Sequence, residues 1–389
     1  MSPTPVTMSS PTAPAGYTWE ATSEQVAARY GVAVEDVLRF DLNTAASPPD
    51  VALAAVAAGS FEGGLSEYPP SDYRRLVAAA ATRYGAAPDE LLVGAGADEI
   101  LDLIGKAFIE AGSTVVLPVP TYAMFRVISE QRRATIVAVP RLGPDRGFAL
   151  DLLAVRSAAV GAAVVWLCSP NNPTGLAEPP GTIAALLDDL AADARREGRA
   201  APVVALDEAY AEFVEATLAG LRDAYPRLVV VRTASKAYGL AGLRVGFAVA
   251  RRELIAAIEP YRPPGSLSVV SVAVATVAFE ADGWLGPRVA AVHAERERFA
   301  AALRELGCTV HPSETNFLLV DFGSAAEAGR VAEALLSRGI VPRTFGAGHP
   351  LADHLRLTVR SPEQDDRFIE AARAIVRTSG PLPNTEAGR

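Results

Sequence analysis

The chain is organised around Thr233-Ala-Ser235-Lys236-Ala-Tyr238-Gly-Leu-Ala-Gly-Leu-Arg244-Val-Gly246. The run Leu-Val-Val-Val-Arg at residues 228–232 comes immediately before it and has the pattern of a buried strand in a parallel sheet. This run stops at hydroxyl side chains that are followed by a lysine. The pattern predicts an active-site loop at the end of a buried strand.

Lys236 and its neighbours favour one kind of chemistry. Burial and nearby charge can make a lysine amine nucleophilic, and one use of such an amine is a Schiff base with an aldehyde. Thr233, Ser235 and Arg244 would supply hydroxyl and guanidinium donors suited to a phosphate. An aldehyde and a phosphate together suggest pyridoxal 5'-phosphate (PLP). A solvated lysine in a loop of small residues is the alternative that this stretch alone leaves open.

Length and composition favour a large α/β enzyme. A chain of 389 residues can bury a large core and is expected to form more than one domain. Apolar residues make up 50% and aromatic residues 7%, which fits an alanine-rich α/β enzyme better than a disordered or fibrous protein. The net charge of -9 gives no basic footprint, so nucleic acid is not an expected partner.

The expected location is the cytoplasm. The two cysteines, Cys168 and Cys308, are too few for a disulfide framework, so a reducing compartment is the default. Residues 1–16 have neither the basic nor the apolar region of a signal peptide, and no apolar run approaches a membrane span in length. We expect no membrane contact and a loose arm at residues 1–16.

Three consecutive strand candidates carry polar groups at the same end. The runs 162–167 and 202–206 end in Ser169-Pro-Asn-Asn172-Pro-Thr-Gly175 and Asp207-Glu-Ala-Tyr210, and 228–232 ends at the lysine loop. Ligands of open α/β sheets bind at the carboxyl ends of the strands. Strands alternate with helices here, for example the helix expected at 181–197. The alternation predicts an α/β fold with a largely parallel, doubly wound sheet.

Two further turns point to the same edge. The segment Gly94-Ala-Gly96-Ala97-Asp98-Glu99 follows a short strand and precedes a helix expected at 99–110, so its amides could approach a phosphate. A plain tight turn is the alternative. The segment Pro118-Val-Pro-Thr-Tyr122 ends another strand and starts a helix. Tyr122 is therefore expected at the ligand-binding edge.

Helices and strands segregate elsewhere. A capping box of Thr22 with Gln25 predicts a short helix ending at Gly31, and Ser71 is expected to cap a helix that runs to Gly85. Beyond residue 246, long helical patterns precede short strands, as in an α+β layer. The predicted division is a large domain at 49–280, a smaller domain at 17–48 plus 281–377, and flexible tails at 1–16 and 378–389.

Five motifs in this order resemble the aspartate-aminotransferase-like, fold-type-I PLP enzymes, and within them the histidinol-phosphate aminotransferase family. The resemblance covers nearly the whole chain, from residue 17 to residue 375. Each motif is ordinary alone, and the set is specific for the superfamily. The motifs are Gly96-Ala-Asp-Glu99, Ser169-Pro-Asn-Asn-Pro-Thr-Gly175, Asp207-Glu-Ala-Tyr210, Ser235-Lys236 with Arg244 eight residues on, and Leu355-Arg356-Leu-Thr-Val359.

The resemblance implies roles around the cofactor ring. Lys236 matches the Schiff-base lysine, which also acts as the general base that moves a proton between Cα and C4'. Asp207 matches the carboxylate that keeps the pyridine nitrogen protonated, with a helix N-cap as its structural alternative. Tyr122 matches the aromatic residue stacked on the ring, with a core tyrosine as the alternative. Asn172 and Tyr210 match the donors to the phenolate oxygen.

The resemblance also implies how the cofactor phosphate is held. The matched donors are Thr233, Ser235, Arg244 and the amides of Ala97 and Asp98. Tyr68 matches a tyrosine that reaches the cofactor phosphate of the other subunit. A shared site implies a homodimer.

On the substrate side, Arg356 matches the arginine that binds the anionic group of the substrate and helps to pull the domains shut. Tyr17 and Asn43 match positions near the substrate. Arg343 aligns with a second substrate-side arginine beside an unmatched, glycine-rich segment at 346–350. The family's Asn-Glu-Asn-Pro-like motif corresponds to residues 42–48, in which Asn43 alone is clearly kept.

The activity implied by the resemblance is PLP-dependent transamination between L-histidinol phosphate and 2-oxoglutarate. An aromatic or other amino-acid aminotransferase and a threonine-phosphate-type decarboxylase share every cofactor residue and stay open. An aminotransferase-like sensor module would need a basic winged-helix segment, for which the arm before Tyr17 is too short. The four histidines, His293, His311, His349 and His354, show no ligand spacing, so no metal site is expected.

Overall fold

A computed structural model describes residues 16–59, 61, 64–215 and 217–379 of the chain. The tails predicted at 1–16 and 378–389 lie outside the described residues, apart from residues 16, 378 and 379. In the described part, helices and strands alternate through the first two thirds of the sequence. The helices are α1 (Ser23–Tyr30), α2 (Asp50–Ala58), α3 (Arg74–Tyr84), α4 (Gly96–Phe108), α5 (Ala123–Gln131), α6 (Leu152–Ala158), α7 (Thr182–Arg196), α8 (Arg252–Ile258), α9 (Val269–Glu280), α10 (Leu285–Glu305), α11 (Ala325–Leu336) and α12 (Pro362–Ser379). The strands are β1 (Leu38–Arg39), β2 (Leu91–Gly94), β3 (Thr114–Val119), β4 (Thr135–Pro140), β5 (Val164–Cys168), β6 (Val203–Asp207), β7 (Leu228–Thr233), β8 (Gly246–Ala250), β9 (Thr309–Val310), β10 (Phe317–Asp321), β11 (Ile340–Val341) and β12 (His354–Thr358).

The largest sheet has seven strands in the order β2-β8-β7-β6-β5-β3-β4. Six of them run in the same direction, and β8 is antiparallel to both of its neighbours, β2 and β7. The largely parallel α/β sheet predicted from the sequence is confirmed. The sequence reasoning named no strand at β4 or β8. The connection from β7 to β8 contains only a single helical turn, Ala241–Leu243, whereas a parallel return usually needs a crossover helix, so β8 returns antiparallel.

The large sheet is covered on both faces. Val165 and Leu167 of β5 pack in the core with α3, α7 and α9, whereas Val164 and Trp166 pack in the core with α4, α5 and α8. The Trp166 indole is fully buried, and its N–H donates to the Ser129 hydroxyl at 3.1 Å. A strand with helices on both sides is apolar at every position, which is why these runs are continuous in the sequence.

The smaller sheet is antiparallel, in the order β12-β10-β9. Leu318 and Val320 of β10 face a core shared with α10, α11 and α12. The alternate residues Phe317 and Leu319 point to the other face, where they contact groups of the large-sheet region. Residues 38–39 join this part of the molecule because β1 pairs with β11. The division into two domains at the predicted boundaries stays a prediction.

Helix boundaries show where local sequence rules hold. The capping box of Thr22 and Gln25 is formed, and α1 ends at Gly31. The expected Ser71 cap is wrong: α3 begins at Arg74 after Tyr73, whose φ is 45°, and the Arg74 amide donates to the Asp72 carboxylate at 3.2 Å. α4 begins at Gly96, three residues earlier than expected.

No single helix of the described ranges is long and apolar enough to cross a membrane. Helices α9 and α10 together would be long and apolar enough, but the chain bends by 88° at the break between them.

Candidate active site

Main-chain ladders bring three sequence motifs to one edge of the large sheet. β6 ends at Asp207, which lies opposite Cys168 of β5 and Val231 of β7. β7 ends at Thr233, which pairs with Gly246 at the start of β8. The loop that carries Lys236 is therefore closed at its base by a pair of strands and projects from the same edge as Asp207.

Asp207 is buried at this edge, with 4% of its surface exposed. One carboxylate oxygen accepts a hydrogen bond from the Ala209 amide at 2.9 Å. Burial raises the pKa of Asp207 to about 7, because a charged carboxylate loses its hydration there, and the positive charge of Lys236 opposes this rise. A cationic partner would thus stabilise the ionised form of Asp207.

Lys236 is partly buried and points across the site. Its Nζ atom donates to the Leu42 carbonyl at 3.3 Å and lies 5.6 Å from the centre of the Tyr210 ring. Burial, and then the charge of Arg356, lower the pKa of Lys236 to about 8. A neutral amine is therefore accessible near physiological pH.

Lysine is rare in this chain, which makes Lys236 informative. Among the 36 lysine and arginine residues, only Lys106 and Lys236 are lysines. Lys106 lies on α4 and pairs with Asp102 at 2.6 Å, one turn earlier on the same helix. Arginine stays protonated and cannot act as an amine nucleophile. The presence of a lysine at the strand edge, in a chain whose other basic residues are nearly all arginine, therefore indicates that an amine is required there.

The turn between β2 and α4 fits closely against the lysine loop. A Cβ atom on Gly96 would lie 2.5 Å from the Arg244 guanidinium, and a Cβ on Gly246 would lie 2.5 Å from the Ala97 backbone nitrogen. Position 246 needs glycine because the clash is with backbone, and position 96 needs it because its φ is 85°. The amides of Ala97 and Asp98 belong to the first turn of α4, and the N-terminus of a 13-residue helix favours an anion.

Hydroxyl groups complete a donor set for a phosphate at this turn. Thr233 donates to the Ser235 hydroxyl at 3.0 Å and accepts from the Ser235 amide at 3.1 Å. Arg244 adopts a left-handed backbone conformation with φ of 52°, which turns its side chain back towards Gly96. Two hydroxyls, a guanidinium and the first amides of α4 match the chemistry of the phosphate group of PLP.

Asp98 links the phosphate-compatible turn to Tyr122. The Tyr122 hydroxyl donates to one Asp98 oxygen at 2.8 Å, and Arg244 donates to the other at 3.3 Å. Burial raises the pKa of Tyr122 well above its usual value, so the hydroxyl keeps its proton. The sequence reasoning considered only the backbone amide of Asp98. The carboxylate positions both Tyr122 and Arg244.

The smaller sheet supplies the opposite wall of the site through Arg356. Its guanidinium donates to Asn172 Oδ1 at 2.5 Å and to the Asp41 carbonyl, and it lies over the Phe317 ring at 5.4 Å. Burial lowers the pKa of Arg356. Its Nε atom is buried without a hydrogen-bond partner among the described residues, so one donor of the fork remains available.

Asn43 and Tyr210 meet between the two walls. Asn43 donates from its side-chain amide to the Tyr210 hydroxyl at 2.9 Å, and its backbone is in the left-handed region with φ of 52°. The backbone N–H of Asn43 donates to Thr358 Oγ1 at 2.9 Å, and the Asn316 side-chain amide donates to the backbone carbonyl of Asn43 at 3.0 Å. Sequence reasoning missed Asn316 and Thr358. Each is a polar residue within or beside an otherwise apolar strand, and this is the one sequence feature that could have indicated a role at the site.

Arg343 and Tyr17 lie beside Arg356. Arg343 and Arg356 exchange both backbone hydrogen bonds, at 3.1 and 3.0 Å, so their side chains leave the same face. The Arg343 guanidinium lies over the Tyr17 ring at 5.4 Å and donates to the Thr18 carbonyl at 2.9 Å. Tyr17 in turn packs edge-on against Trp19. The predicted substrate-side residues thus form one group.

Tyr68 is the predicted site residue that the chain does not bring to this group. It is 89% exposed and lies near Gly265. Leu53, Val56 and Leu65 are also large apolar residues with exposed side chains. Within one chain Tyr68 is therefore a surface residue.

Comparisons with known proteins show the family to which the chain belongs. The sequence matches the model of the family Aminotransferase class I and II over residues 36–371. It is 36% identical over 361 residues to a histidinol-phosphate aminotransferase of Roseiflexus castenholzii, covering 90% of this chain and 93% of that relative. The predicted resemblance is confirmed.

Solved structures agree with the aspartate-aminotransferase-like fold predicted from the sequence. Histidinol-phosphate aminotransferase from Sinorhizobium meliloti in complex with pyridoxal-5'-phosphate has a TM-score of 0.81 and 25% identity, over 93% of this chain and 96% of that chain. L-threonine-O-3-phosphate decarboxylase from Porphyromonas gingivalis, at 23% identity and a TM-score of 0.72 over 88% of this chain and 100% of that one, shows the fold alone. The chain belongs to the class I and II aminotransferase family and is a PLP-dependent transaminase.

Proposed function

We propose that this protein transfers an amino group from L-histidinol phosphate to 2-oxoglutarate. One observation carries the choice of substrate: Arg343 and Arg356 leave the same face of a backbone bridge at the substrate wall. Two guanidinium groups suit a doubly charged phosphate, whereas one suffices for a carboxylate. The names of relatives that are 36% identical, such as that of Roseiflexus castenholzii, support the same substrate.

The residues present fit the cofactor. Asp207 would face the pyridine nitrogen, Tyr122 the ring, and Asn172 and Tyr210 the phenolate oxygen. The phosphate would bind Thr233, Ser235, Arg244 and the amides of Ala97 and Asp98. When bound, PLP supplies an electron-withdrawing ring that carries the amino group between the two substrates.

Lys236 is the residue that moves the proton. Its amine has a pKa lowered to about 8, so a useful fraction is neutral and can accept a proton from the substrate Cα. Asp98 and Asp207 oppose the lowering, which keeps the amine from losing its basicity. Within the described residues, the Leu42 carbonyl is its hydrogen-bond acceptor, and this single bond leaves the amine free to turn.

Arg356 and Arg343 would hold the anionic end of each substrate. L-histidinol phosphate has no α-carboxylate, so its phosphate must occupy the subsite that a carboxylate of 2-oxoglutarate fills in the other half-reaction. The planar guanidinium binds either anion through two parallel hydrogen bonds. Asn172 belongs to the loop after β5 and accepts a hydrogen bond from Arg356, so the anion subsite is connected to the cofactor side.

We propose a cytoplasmic homodimer in which Tyr68 of one subunit reaches the site of the other. The exposure of Tyr68, together with exposed Leu53, Val56 and Leu65, supports an apolar contact there. Cys168 and Cys308 are free and buried, which fits a reducing compartment. The closing of the smaller domain over the larger one on substrate binding is part of the same proposal.

The test is a comparison of amino donors with 2-oxoglutarate as acceptor. The panel is L-histidinol phosphate, L-histidinol, phenylalanine, tyrosine and O-phosphothreonine. L-histidinol is the matched control because it lacks only the phosphate. We expect kcat/KM for the phosphate to exceed that for L-histidinol by about 100-fold or more, the effect of two charged hydrogen bonds. Faster turnover of phenylalanine or tyrosine would contradict the proposed substrate, and release of CO2 from O-phosphothreonine would favour the decarboxylase.

A further inference from the structure

Two histidines that are distant in the sequence lie together on the smaller sheet. The Nε2 atoms of His311 and His354 are 3.0 Å apart, and the ring centres are 5.1 Å apart with planes 17° from parallel, so the rings meet edge to edge at these nitrogens. Asp321 lies opposite His354 in the pairing of β10 with β12. One potential ligand atom from each of His311, Asp321 and His354 lies within 4.8 Å of the other two.

The hydrogen bonds around the two rings define which nitrogen atoms are available. His354 Nδ1 lies 2.6 Å from an Asp353 oxygen, so this nitrogen carries the proton and donates to the carboxylate. The lone pair of His354 then lies on Nε2 and points to His311 Nε2. One ring must donate to the other at this distance, and the remaining donor is His311 Nε2. If the His311 proton moves from Nε2 to Nδ1, both Nε2 atoms present lone pairs, and a cation could bind between them.

The Asp353 contact is the arrangement found around histidines that bind metal ions. A metal-ligating histidine usually donates its other N–H to a carboxylate, which fixes the ring and strengthens the ligand. In a tetrahedral zinc site with Zn–N distances of about 2.0–2.1 Å, two ligating nitrogens lie roughly 3.3 Å apart. The observed 3.0 Å needs only a small outward shift of one ring.

We propose that His311, His354 and Asp321 form a binding site for one Zn²⁺ ion or a similar divalent transition-metal ion. Two imidazoles and one carboxylate select such ions over Mg²⁺ and Ca²⁺, which prefer all-oxygen sites. His311 and Asp321 are partly exposed, which gives access for the ion and room for water as the fourth ligand. No ligand spacing is visible along the chain because the three residues meet only through strand pairing.

The proposed site is separate from the aminotransferase site but lies on the same face of the smaller sheet. His354 and Arg356 are two residues apart on β12, so their side chains leave the same face, about 7 Å apart along the strand. Phe148, from the large-sheet region, packs edge-on against His311 at 5.4 Å. A bound ion would connect the elements carrying residues 311, 321 and 354 next to a contact between the two parts of the molecule.

The experiment measures Zn²⁺ binding to the tag-free, chelator-treated holoenzyme by isothermal titration calorimetry. We expect one ion per chain with a dissociation constant on the order of 10 µM or lower. His311→Gln should weaken binding by at least about tenfold, and Asp321→Asn should also weaken it. Glutamine at position 311 can still donate to His354, so the variant is expected to fold, which the cofactor absorption and circular dichroism of the variant would verify.

His293→Gln is the matched control. His293 bonds to the Phe213 carbonyl at 2.9 Å, away from the cluster, so its loss should change Zn²⁺ affinity less than twofold. Co²⁺ added to the unmodified holoenzyme should give the visible absorption of a tetrahedral site, a readout that needs no variant. Absence of Zn²⁺ binding by the unmodified protein, or equal loss in His293→Gln and His311→Gln, would overturn the proposal. Neither result depends on which amino donor the enzyme uses.

Discussion

The two walls of the active site are built in different ways. On the large sheet, Asp207 and the lysine loop are placed by main-chain ladders between neighbouring strands. On the small sheet, backbone bonds hold Arg343 and Arg356, and bonds that involve side chains join them and Asn43 to distant segments. The Asn43 amide reaches Thr358 across 315 residues, and Arg343 reaches Thr18 across 325 residues.

The difference separates the chemistry from the choice of substrate. A ladder of backbone bonds keeps Asp207 and the base of the lysine loop in register whatever the nearby side chains are, so this wall suits any amino donor. The bonds from Asn43 to the Thr358 hydroxyl and from the Arg343 guanidinium to Thr18 each involve a side chain, so they can be changed without removing a backbone bond of either sheet. We therefore expect substitutions on the large-sheet wall to reduce turnover of all substrates alike, and those on the small-sheet wall to change their ratio.

The largest effect is expected for Lys236→Ala. Loss of the amine removes both the group that holds the cofactor aldehyde and the general base, so turnover should fall by at least about 10³-fold with every donor. The visible imine band of the purified protein should disappear or become that of a free aldehyde. Lys106→Ala is the control, since Lys106 is the only other lysine and pairs with Asp102 on α4. An unchanged absorption spectrum in Lys236→Ala would contradict the assignment.

Asp207→Asn should have the next largest effect. The amide keeps the shape of the side chain and can still accept from Ala209, but it has no charge to hold a protonated pyridine nitrogen. We expect kcat to fall by about 100-fold, roughly 2.7 kcal/mol of barrier, equally for L-histidinol phosphate and for glutamate in the reverse half-reaction. Single-turnover kinetics of each half-reaction provide the measurement. A fall of less than about tenfold would rule out this role.

The large-sheet wall was predictable because its signals are local. Each apolar run of β5, β6 and β7 ends directly at polar residues, and the carboxyl ends of parallel strands share one edge. The resemblance added a role for each matched position. The pairing of Thr233 with Gly246 is not predictable in this way, because β8 is rich in glycine and alanine and directly follows the lysine loop.

The small-sheet wall was predictable only in part. Arg356 was found through its motif, but nothing in the local sequence indicates that Arg343 forms a bridge with it. Asn316 and Thr358 read as parts of strands, and their contacts with Asn43 depend on how the two sheets pack. The pair His311 and His354 was missed for the same reason, because 43 residues separate two side chains that strand pairing brings together.

Arg356→Lys tests the small-sheet wall directly. A lysine ammonium is a point charge that cannot form two parallel hydrogen bonds or reproduce the contacts to Asn172 and Asp41. We expect kcat/KM to fall by about 10- to 100-fold in both half-reactions, the range for a lost charged hydrogen bond. Arg343→Lys is the matched comparison, and it should affect L-histidinol phosphate more than 2-oxoglutarate. Equal, small effects of Arg356→Lys on charged and uncharged donors would argue against an anion subsite.

Substitution of Tyr68 tests whether one chain alone forms a complete active site. We expect Tyr68→Ala to lose about tenfold in activity, one charged hydrogen bond to the cofactor phosphate. Mixing Tyr68→Ala with Lys236→Ala subunits should then raise activity above the mean of the two variants, because hybrid dimers contain one intact site and random pairing restores about a quarter of all sites. Subunit exchange is verified by native mass spectrometry. Proven exchange without recovery would mean that the site is not shared.

The smallest effect is expected at Tyr17, and it is the one that discriminates between the two anions. Tyr17→Phe keeps the ring beneath the Arg343 guanidinium and beside Trp19, so packing of the wall should not change. It removes one hydroxyl donor that a phosphate, with more acceptor oxygens than a carboxylate, can use. We expect kcat/KM for L-histidinol phosphate to fall about fivefold, equivalent to about 1 kcal/mol, while the 2-oxoglutarate half-reaction stays within about twofold of its original rate. An equal loss in both half-reactions would assign Tyr17 to packing of the wall. A loss confined to the phosphate substrate would assign its hydroxyl to recognition of that substrate.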